Sequence, residues 1–127
     1  MNDEGIDLEN FSKEEEIAKF SGLEAVGWTI IVRLYVEPQS TKSGIFIPAK
    51  AHEEQQYKGC VGLVVKKGKG TYLDDRYAQT GHWCEVGDWV GFPRHAGYRI
   101  YHNGTPLWVL KEDGIDYRTD DPRKISR

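Results

Sequence analysis

The stretch Trp28-Thr29-Ile30-Ile31-Val32-Arg33-Leu34-Tyr35-Val36 decides the fold. Its side chains alternate with a period of two, which is the spacing of a β-strand. One side of that strand would carry Trp28, Ile30, Val32, Leu34 and Val36, and the other side would carry Thr29, Ile31, Arg33 and Tyr35. The stretch therefore predicts a strand.

Three further stretches predict the rest of a sheet. Residues 59–65, Gly-Cys-Val-Gly-Leu-Val-Val, are apolar with embedded glycines, as in a curved or closely approached strand. Residues 88–92, Asp-Trp-Val-Gly-Phe, repeat the pattern more briefly. Residues 98–102 and 105–110 flank Asn103-Gly104, the dipeptide that most readily adopts the two positive φ angles of a type I′ turn. This last pair predicts a β-hairpin.

Composition and length agree with a small all-β domain. The 127 residues include 14 glycines, four tryptophans and seven tyrosines, a mixture suited to strands and tight turns. Five short strands without a helical pattern between them favour a small barrel in one domain. Cys60 and Cys84 are interpreted as small buried apolar residues that do not form a disulfide.

Charge and hydropathy exclude several classes of protein. The longest apolar run, residues 30–32, is far shorter than the roughly 20 residues that span a bilayer. The acidic start, residues 1–4, does not resemble a signal peptide, so we expect a cytoplasmic protein. The net charge of −3 gives no general attraction for nucleic acid, and the basic residues of 66–70 are interpreted as a solvated turn.

The two ends of the chain differ from the barrel, which we place at residues 25–117. Residues 1–24 form an N-terminal extension in which Ser12 and Glu15 fit a capping box. A short helix over residues 13–21 would have apolar side chains along one side, namely Phe11, Ile17, Phe20 and Leu23. The extension is either docked on the barrel or frayed. The polar chain from Asp116 onward, with residues 118–127 as the tail, is either an edge segment or disordered.

The connection between the first two strands contains an apolar triplet. Residues 37–56 number 20, longer than most structureless loops in compact domains. Within them Gly44 and Pro48 bracket Ile45, Phe46 and Ile47. The triplet is either a short strand facing the core or an exposed tag for a groove on a partner. The polar flanks favour an arm over residues 39–55, and because one such arm binds weakly, this hypothesis predicts an oligomer.

The second long connection, residues 68–85, carries four large side chains, Tyr72, Leu73, Tyr77 and Trp83. One interpretation is a protruding hairpin whose legs are Tyr72-Leu73 and Tyr77-Ala78. The other is an irregular loop whose aromatic side chains pack on the barrel.

The order of these features resembles the GroES-type co-chaperonin family. The resemblance covers residues 25–115, and its parts follow in order: the first strand, the apolar triplet, the glycine-marked strand, a Val-Gly-Asp-x-Val segment at residues 86–90, and a closing strand with an acidic turn at residues 107–115. The family implies a partly orthogonal GroES-like β-barrel with a mobile loop, assembled as a heptamer. That dome caps a GroEL-type chaperonin ring and assists protein folding.

The family also implies which residues act. Gly44, Ile45, Phe46 and Ile47 would be the anchor that docks on the chaperonin, and Tyr72, Leu73, Tyr77 and Trp83 would form a roof around the opening of the dome. The chaperonin ring hydrolyses the ATP, so the family implies no cofactor and no catalytic residue here.

Three departures from the family pattern suggest a diverged viral member, a phage co-chaperonin working in the host cytoplasm. The N-terminal extension is extra, and the tail is more polar than the closing strand by which family members contact a neighbour. Tryptophans stand at strand positions that are more often aliphatic, namely Trp28, Trp89 and Trp108. The alternative function is a structural or assembly protein of a virion, which would bind a fixed partner through the same loop.

Enzymatic and metal-binding functions are disfavoured. Zinc-dependent alcohol dehydrogenases carry a GroES-like domain, but Gly81-His82-Trp83 lacks their Gly-His-Glu pattern and no Gly-x-Gly-x-x-Gly fingerprint is present. A zinc site at His82 and Cys84 would need Cys60, His95 or His102 to complete four ligands, yet no Cys-x-x-Cys or His-x(3–5)-His spacing supports such a site. We therefore expect neither a metal nor an enzyme.

Overall fold

The computed structural model describes residues 11–35 and 60–125, which form one short helix and six strands. The elements are α1 (Lys13–Ala18), β1 (Thr29–Tyr35), β2 (Cys60–Lys67), β3 (Trp89–Phe92), β4 (Gly97–His102), β5 (Thr105–Lys111) and β6 (Tyr117–Thr119). Short 3-10 helices occupy Asp75–Tyr77, Arg94–Ala96, Glu112–Gly114 and Pro122–Lys124. None of the helices in this part of the chain is long and apolar enough to cross a membrane.

The strands form one antiparallel sheet in the order β4-β5-β1-β2-β3-β6. Both faces of the sheet are apolar. The inner cluster comprises Ile30, Val32, Leu34, Cys60, Val64, Tyr72, Tyr77, Cys84, Val90, Phe92, Trp108, Leu110 and Ile115. The outer cluster comprises Phe20, Ile31, Tyr35, Leu63, Val65, Trp89, Leu107 and Val109. The predicted all-β fold of a small barrel is confirmed.

Strand β1 has the predicted alternation. Ile30, Val32 and Leu34 belong to the inner cluster, whereas Ile31 and Tyr35 belong to the outer cluster. The prediction fails at Trp28, whose side chain is 64% exposed. The strand begins one residue later, so Trp28 is not part of the pleated surface that buries its successors.

The hairpin between β4 and β5 forms as predicted. Asn103 and Gly104 have φ angles of 50° and 81°, so both central residues of the turn occupy the left-handed region. The register pairs His102 with Thr105 directly across the turn. The hairpin is predictable because its geometry depends on two adjacent residues.

The polar tail contributes the sixth strand, β6, which we interpreted as an edge segment or disordered. It pairs with β3 at the edge of the sheet and extends beyond residue 117, where we placed the end of the barrel. The ring of Tyr117 lies directly against Gly91 in β3, at the place where a β-carbon would stand. A glycine in β3 thus allows the ring of the edge strand to pack on the backbone.

The N-terminal extension is docked on the outer face of the sheet. Ser12 caps α1 by accepting a hydrogen bond from the Glu15 backbone N–H at 3.4 Å, as the capping box predicts. The helix is shorter than predicted and ends at Ala18, after which the Phe20 N–H donates to the Ile17 carbonyl in a turn. The four predicted apolar side chains pack in the outer cluster: Phe11, Ile17, Phe20 and Leu23.

Cys60 and Cys84 are both buried in the inner cluster and are not joined in a disulfide. The prediction of two small buried apolar residues without a disulfide is confirmed.

Candidate partner-binding site

The predicted anchor lies outside the described residues. Gly44, Ile45, Phe46 and Ile47 fall within residues 36–59, and the structure describes the two strand ends that lead into this segment. Tyr35 is the last described residue of β1, and it pairs with Val61 near the start of β2. Because β1 and β2 are the two central strands, the connection leaves the middle of the sheet.

The predicted roof segment is not a protruding hairpin. Tyr72 and Tyr77 are buried in the inner cluster, and Trp83 packs against that cluster while partly exposed. Residues 75–77 form a 3-10 helix, which Asp74 caps by accepting a hydrogen bond from the Arg76 N–H at 3.0 Å. The hairpin interpretation is therefore wrong, and the irregular loop with inward aromatic side chains is what forms. Burial of the aromatic rings outweighs strand pairing in this segment.

The aromatic side chains of this segment contact one another. The ring centroids of Tyr72 and Tyr77 are 5.0 Å apart, and those of Tyr77 and Trp83 are 5.2 Å apart, both edge to face. The indole N–H of Trp83 donates to the Thr80 hydroxyl at 3.1 Å. Leu73 is 68% exposed. Of the four predicted roof residues, Leu73 is thus the one whose side chain is mostly exposed.

Glu112, a residue that the sequence analysis missed, holds Tyr72 in place. Its Oε1 accepts a hydrogen bond from the Tyr72 backbone N–H at 2.6 Å, and its backbone carbonyl accepts one from the Tyr72 hydroxyl, also at 2.6 Å. Arg76 pairs with Oε2 at 3.4 Å. Tyr72 has a φ of 59°, an uncommon angle for a bulky residue. No local sequence signal indicates this contact, because the residues are 40 positions apart.

Two ionisable groups of the inner cluster, those of Tyr72 and Cys84, are stabilised in their neutral forms. Burial raises the pKa of the Tyr72 phenol well above its ordinary value, and the neighbouring Cys84 raises it further. Burial likewise raises the pKa of the Cys84 thiol. A thiol must lose its proton to act as a nucleophile, so this environment suits packing and not covalent chemistry.

Three polar side chains, those of Lys67, His82 and Glu85, contact one another beside this cluster at the end of β2. Lys67 Nζ donates to Glu85 Oε1 at 2.8 Å and also contacts His82 Nδ1. The hydrogen bond from Lys67 lowers the pKa of the Glu85 carboxyl. The ammonium of Lys67 also lies 5.3 Å from the ring centroid of Tyr72. These contacts tie residues 82–85 to β2.

Across the described ranges 11–35 and 60–125, no three side chains of His, Cys, Asp or Glu are grouped in a way that could hold a metal ion.

Comparison with known proteins places the barrel in a family. The family described as "Chaperonin 10 Kd subunit" matches residues 22–116. The co-chaperonin GroES of Bacillus sp. (strain PS3) is 32% identical over 93 residues, which cover 73% of this chain and 94% of the relative. The co-chaperonin GroES of Geobacillus stearothermophilus is 33% identical over 95 residues, with the same two coverages. Both relatives are thus matched along nearly their whole length.

Proposed function

Because this chain belongs to the chaperonin 10 kDa subunit family, we propose that it is a co-chaperonin, a non-catalytic protein that caps a GroEL-type chaperonin ring and assists ATP-dependent folding. The observation that carries the proposal is the match over residues 22–116, together with near-complete coverage of relatives that are named co-chaperonin GroES. The inner cluster also supports a non-catalytic role, since its phenol and thiol are kept protonated.

Docking on the chaperonin is assigned to Gly44, Ile45, Phe46 and Ile47. These residues lie in the connection between the two central strands, so an arm there starts from the ends of β1 and β2, which pair with each other. Burying the three large side chains contributes about 5–9 kcal/mol before the cost of ordering is subtracted. One arm therefore binds weakly. A ring of seven identical arms raises the avidity steeply, because each arm after the first binds at high effective concentration.

The test is native mass spectrometry of the protein, alone and with a bacterial GroEL-type chaperonin, with and without ADP or ATP. We expect a heptamer alone and one heptamer per chaperonin ring when nucleotide is present. The double substitution Ile45→Ser and Ile47→Ser should leave the circular dichroism and the heptamer unchanged and should abolish binding. Leu73→Ser, at an exposed leucine outside the arm, is the matched control and should bind normally.

Two results would contradict the proposal. Loss of the folded barrel in the double variant would show that the triplet belongs to the core. Binding that does not depend on nucleotide would favour a fixed structural partner, as expected for an assembly protein.

A further inference from the structure

The N-terminal extension crosses the sheet close to the strand ends that lead into residues 36–59. We call its residues 11–24 the strap. At its start the ring of Phe11 lies 5.5 Å from that of Trp89 in β3. In its middle Glu16 pairs with Arg33 in β1 at 3.0 Å. At its end the ring of Phe20 lies 5.6 Å from that of His102 in β4. The strap therefore runs across several strands.

The residues beneath the strap form a row across the sheet. Arg33 of β1 is paired with Leu63 of β2, and Leu63 is paired with Trp89 of β3. The ring of Trp89 also lies 6.4 Å from that of Tyr35, the last described residue of β1. Arg33 in this row is thus two residues before Tyr35, after which residues 36–59 follow. We call residues 36–59, which contain the proposed anchor, the docking connection.

This end of β1 has less support from neighbouring strands than the end of β2 has. In the described sheet, β1 pairs with β5 over residues 29–32 and not beyond, and a β-bulge between Ile31 and Val32 interrupts its pairing with β2. Among the described strands, residues 33–35 pair with β2 and not with β5. In contrast, residues 61–63 of β2 pair with β1 on one side and with β3 on the other.

The ion pair between Glu16 and Arg33 joins the strap to this part of β1. The Arg33 side chain is 1% exposed, and Glu16 is buried as well. Glu16 also accepts a bond from Lys19 at 3.0 Å. Burying a guanidinium is costly unless a carboxylate meets it with good geometry, so the pair specifies one position for the strap over β1. Apolar contacts alone would allow the strap to shift.

We propose that the strap is a positioning element for the docking connection. Through Glu16 on Arg33, and through Phe11 on Trp89, it holds residues 33–35 in the sheet. A frayed strand end must be re-ordered at each binding event, which lowers affinity. The strap lies almost entirely before the family match, which starts at residue 22, so this device is added to the shared barrel. The effect on binding rests on the proposed co-chaperonin function, whereas the effect on the strand end does not.

The first experiment is hydrogen exchange followed by mass spectrometry on the full chain. Glu16→Gln removes the charge at nearly constant size, and Glu15→Gln, at the exposed neighbouring residue, is the matched control. We expect exchange in residues 32–35 to be at least about tenfold faster in Glu16→Gln, with residues 64–67 and 107–111 unchanged. Equal acceleration of all these segments would show that the strap only adds general stability and would overturn the proposal. No change in residues 32–35 would overturn it too.

Phe11→Ala provides a second test that leaves Arg33 paired. Glu16→Gln can fail to fold for a known reason, since it leaves a buried guanidinium without its carboxylate. In that case Phe11→Ala tests the proposal: exchange should become faster in residues 32–35 and stay unchanged in residues 64–67 and 107–111.

The second experiment measures dissociation from the nucleotide-bound chaperonin. We expect dissociation to be about tenfold faster for a strap variant than for wild type, and unchanged for Glu15→Gln. A strap variant that dissociates at the wild-type rate would overturn the positioning role. If the wild-type protein binds no chaperonin, the proposed function fails, while the exchange experiment still decides whether the strap holds the strand end.

Discussion

At the scale of single residues, the buried carboxylate of Glu112, just after β5, binds the long segment of residues 68–85. Glu112 accepts from the Tyr72 backbone N–H, and Arg76 pairs with its other oxygen. Glu112→Ala leaves a buried N–H without its acceptor, so we expect the free energy of unfolding to fall by about 1–3 kcal/mol. Urea unfolding followed by tryptophan fluorescence measures this change.

The control for that substitution is Asp113→Ala, at the exposed neighbouring residue. It should change the free energy of unfolding by less than about 0.5 kcal/mol. Equal effects of the two substitutions would show that the hydrogen bond to Tyr72 does not stabilise the fold.

At the scale of elements, the edge strand β6 depends on a glycine in its neighbour. The ring of Tyr117 occupies the space that a β-carbon at residue 91 would need. We expect Gly91→Ala to destabilise the protein by about 1–3 kcal/mol, because the ring must move. Adding Tyr117→Ala should recover part of this loss, which a double-mutant cycle in urea measures.

Gly22→Ala is the control for this cycle, since no atom lies within 4 Å of a β-carbon placed there. It should be nearly neutral. A Gly91→Ala cost that persists in full without the Tyr117 ring would locate the strain elsewhere in β3.

Sequence predicted the elements whose cause is local. The alternation that starts at Trp28 and the Asn103-Gly104 turn depend on neighbouring residues, and both give the observed structure over the described residues apart from the exposed Trp28. The contacts of Glu16 with Arg33 and of Glu112 with Tyr72 join distant parts of the chain, which no periodicity reveals. One available signal was Arg33 itself, a charge within an apolar strand that needs a buried partner. The roles predicted for residues 44–47 and for the roof stay predictions.

At the scale of the whole molecule, stability should fall in alkaline solution. Burial raises the pKa of both the Cys84 thiol and the Tyr72 phenol above their ordinary values of 9.0 and 10.0. The folded protein therefore keeps protons that the unfolded chain loses, and the free energy of unfolding decreases as pH rises through about 9 to 10. Urea unfolding between pH 7 and pH 10.5 measures the slope.

Two substitutions test which residues cause the decrease in the free energy of unfolding with pH. Cys84→Ala and Tyr72→Phe should each make the slope shallower, whatever they do to stability at neutral pH. Tyr98→Phe, at an exposed tyrosine, should leave the slope unchanged. A slope that survives both substitutions would show that Tyr72 and Cys84 are not the groups responsible for it.

The position of residues 36–59 in the chain, between the two central strands, also decides how the molecule bears mechanical load. A pull on residues 36–59 along the strand axis drags β1 and β2 in one direction past β5 and β3. Ladder hydrogen bonds lie perpendicular to the strands, so those of each sliding pair are strained together and not one after another. Tension from a moving partner would thus be spread over the body of the sheet, whereas an arm attached to an edge strand would peel that strand away.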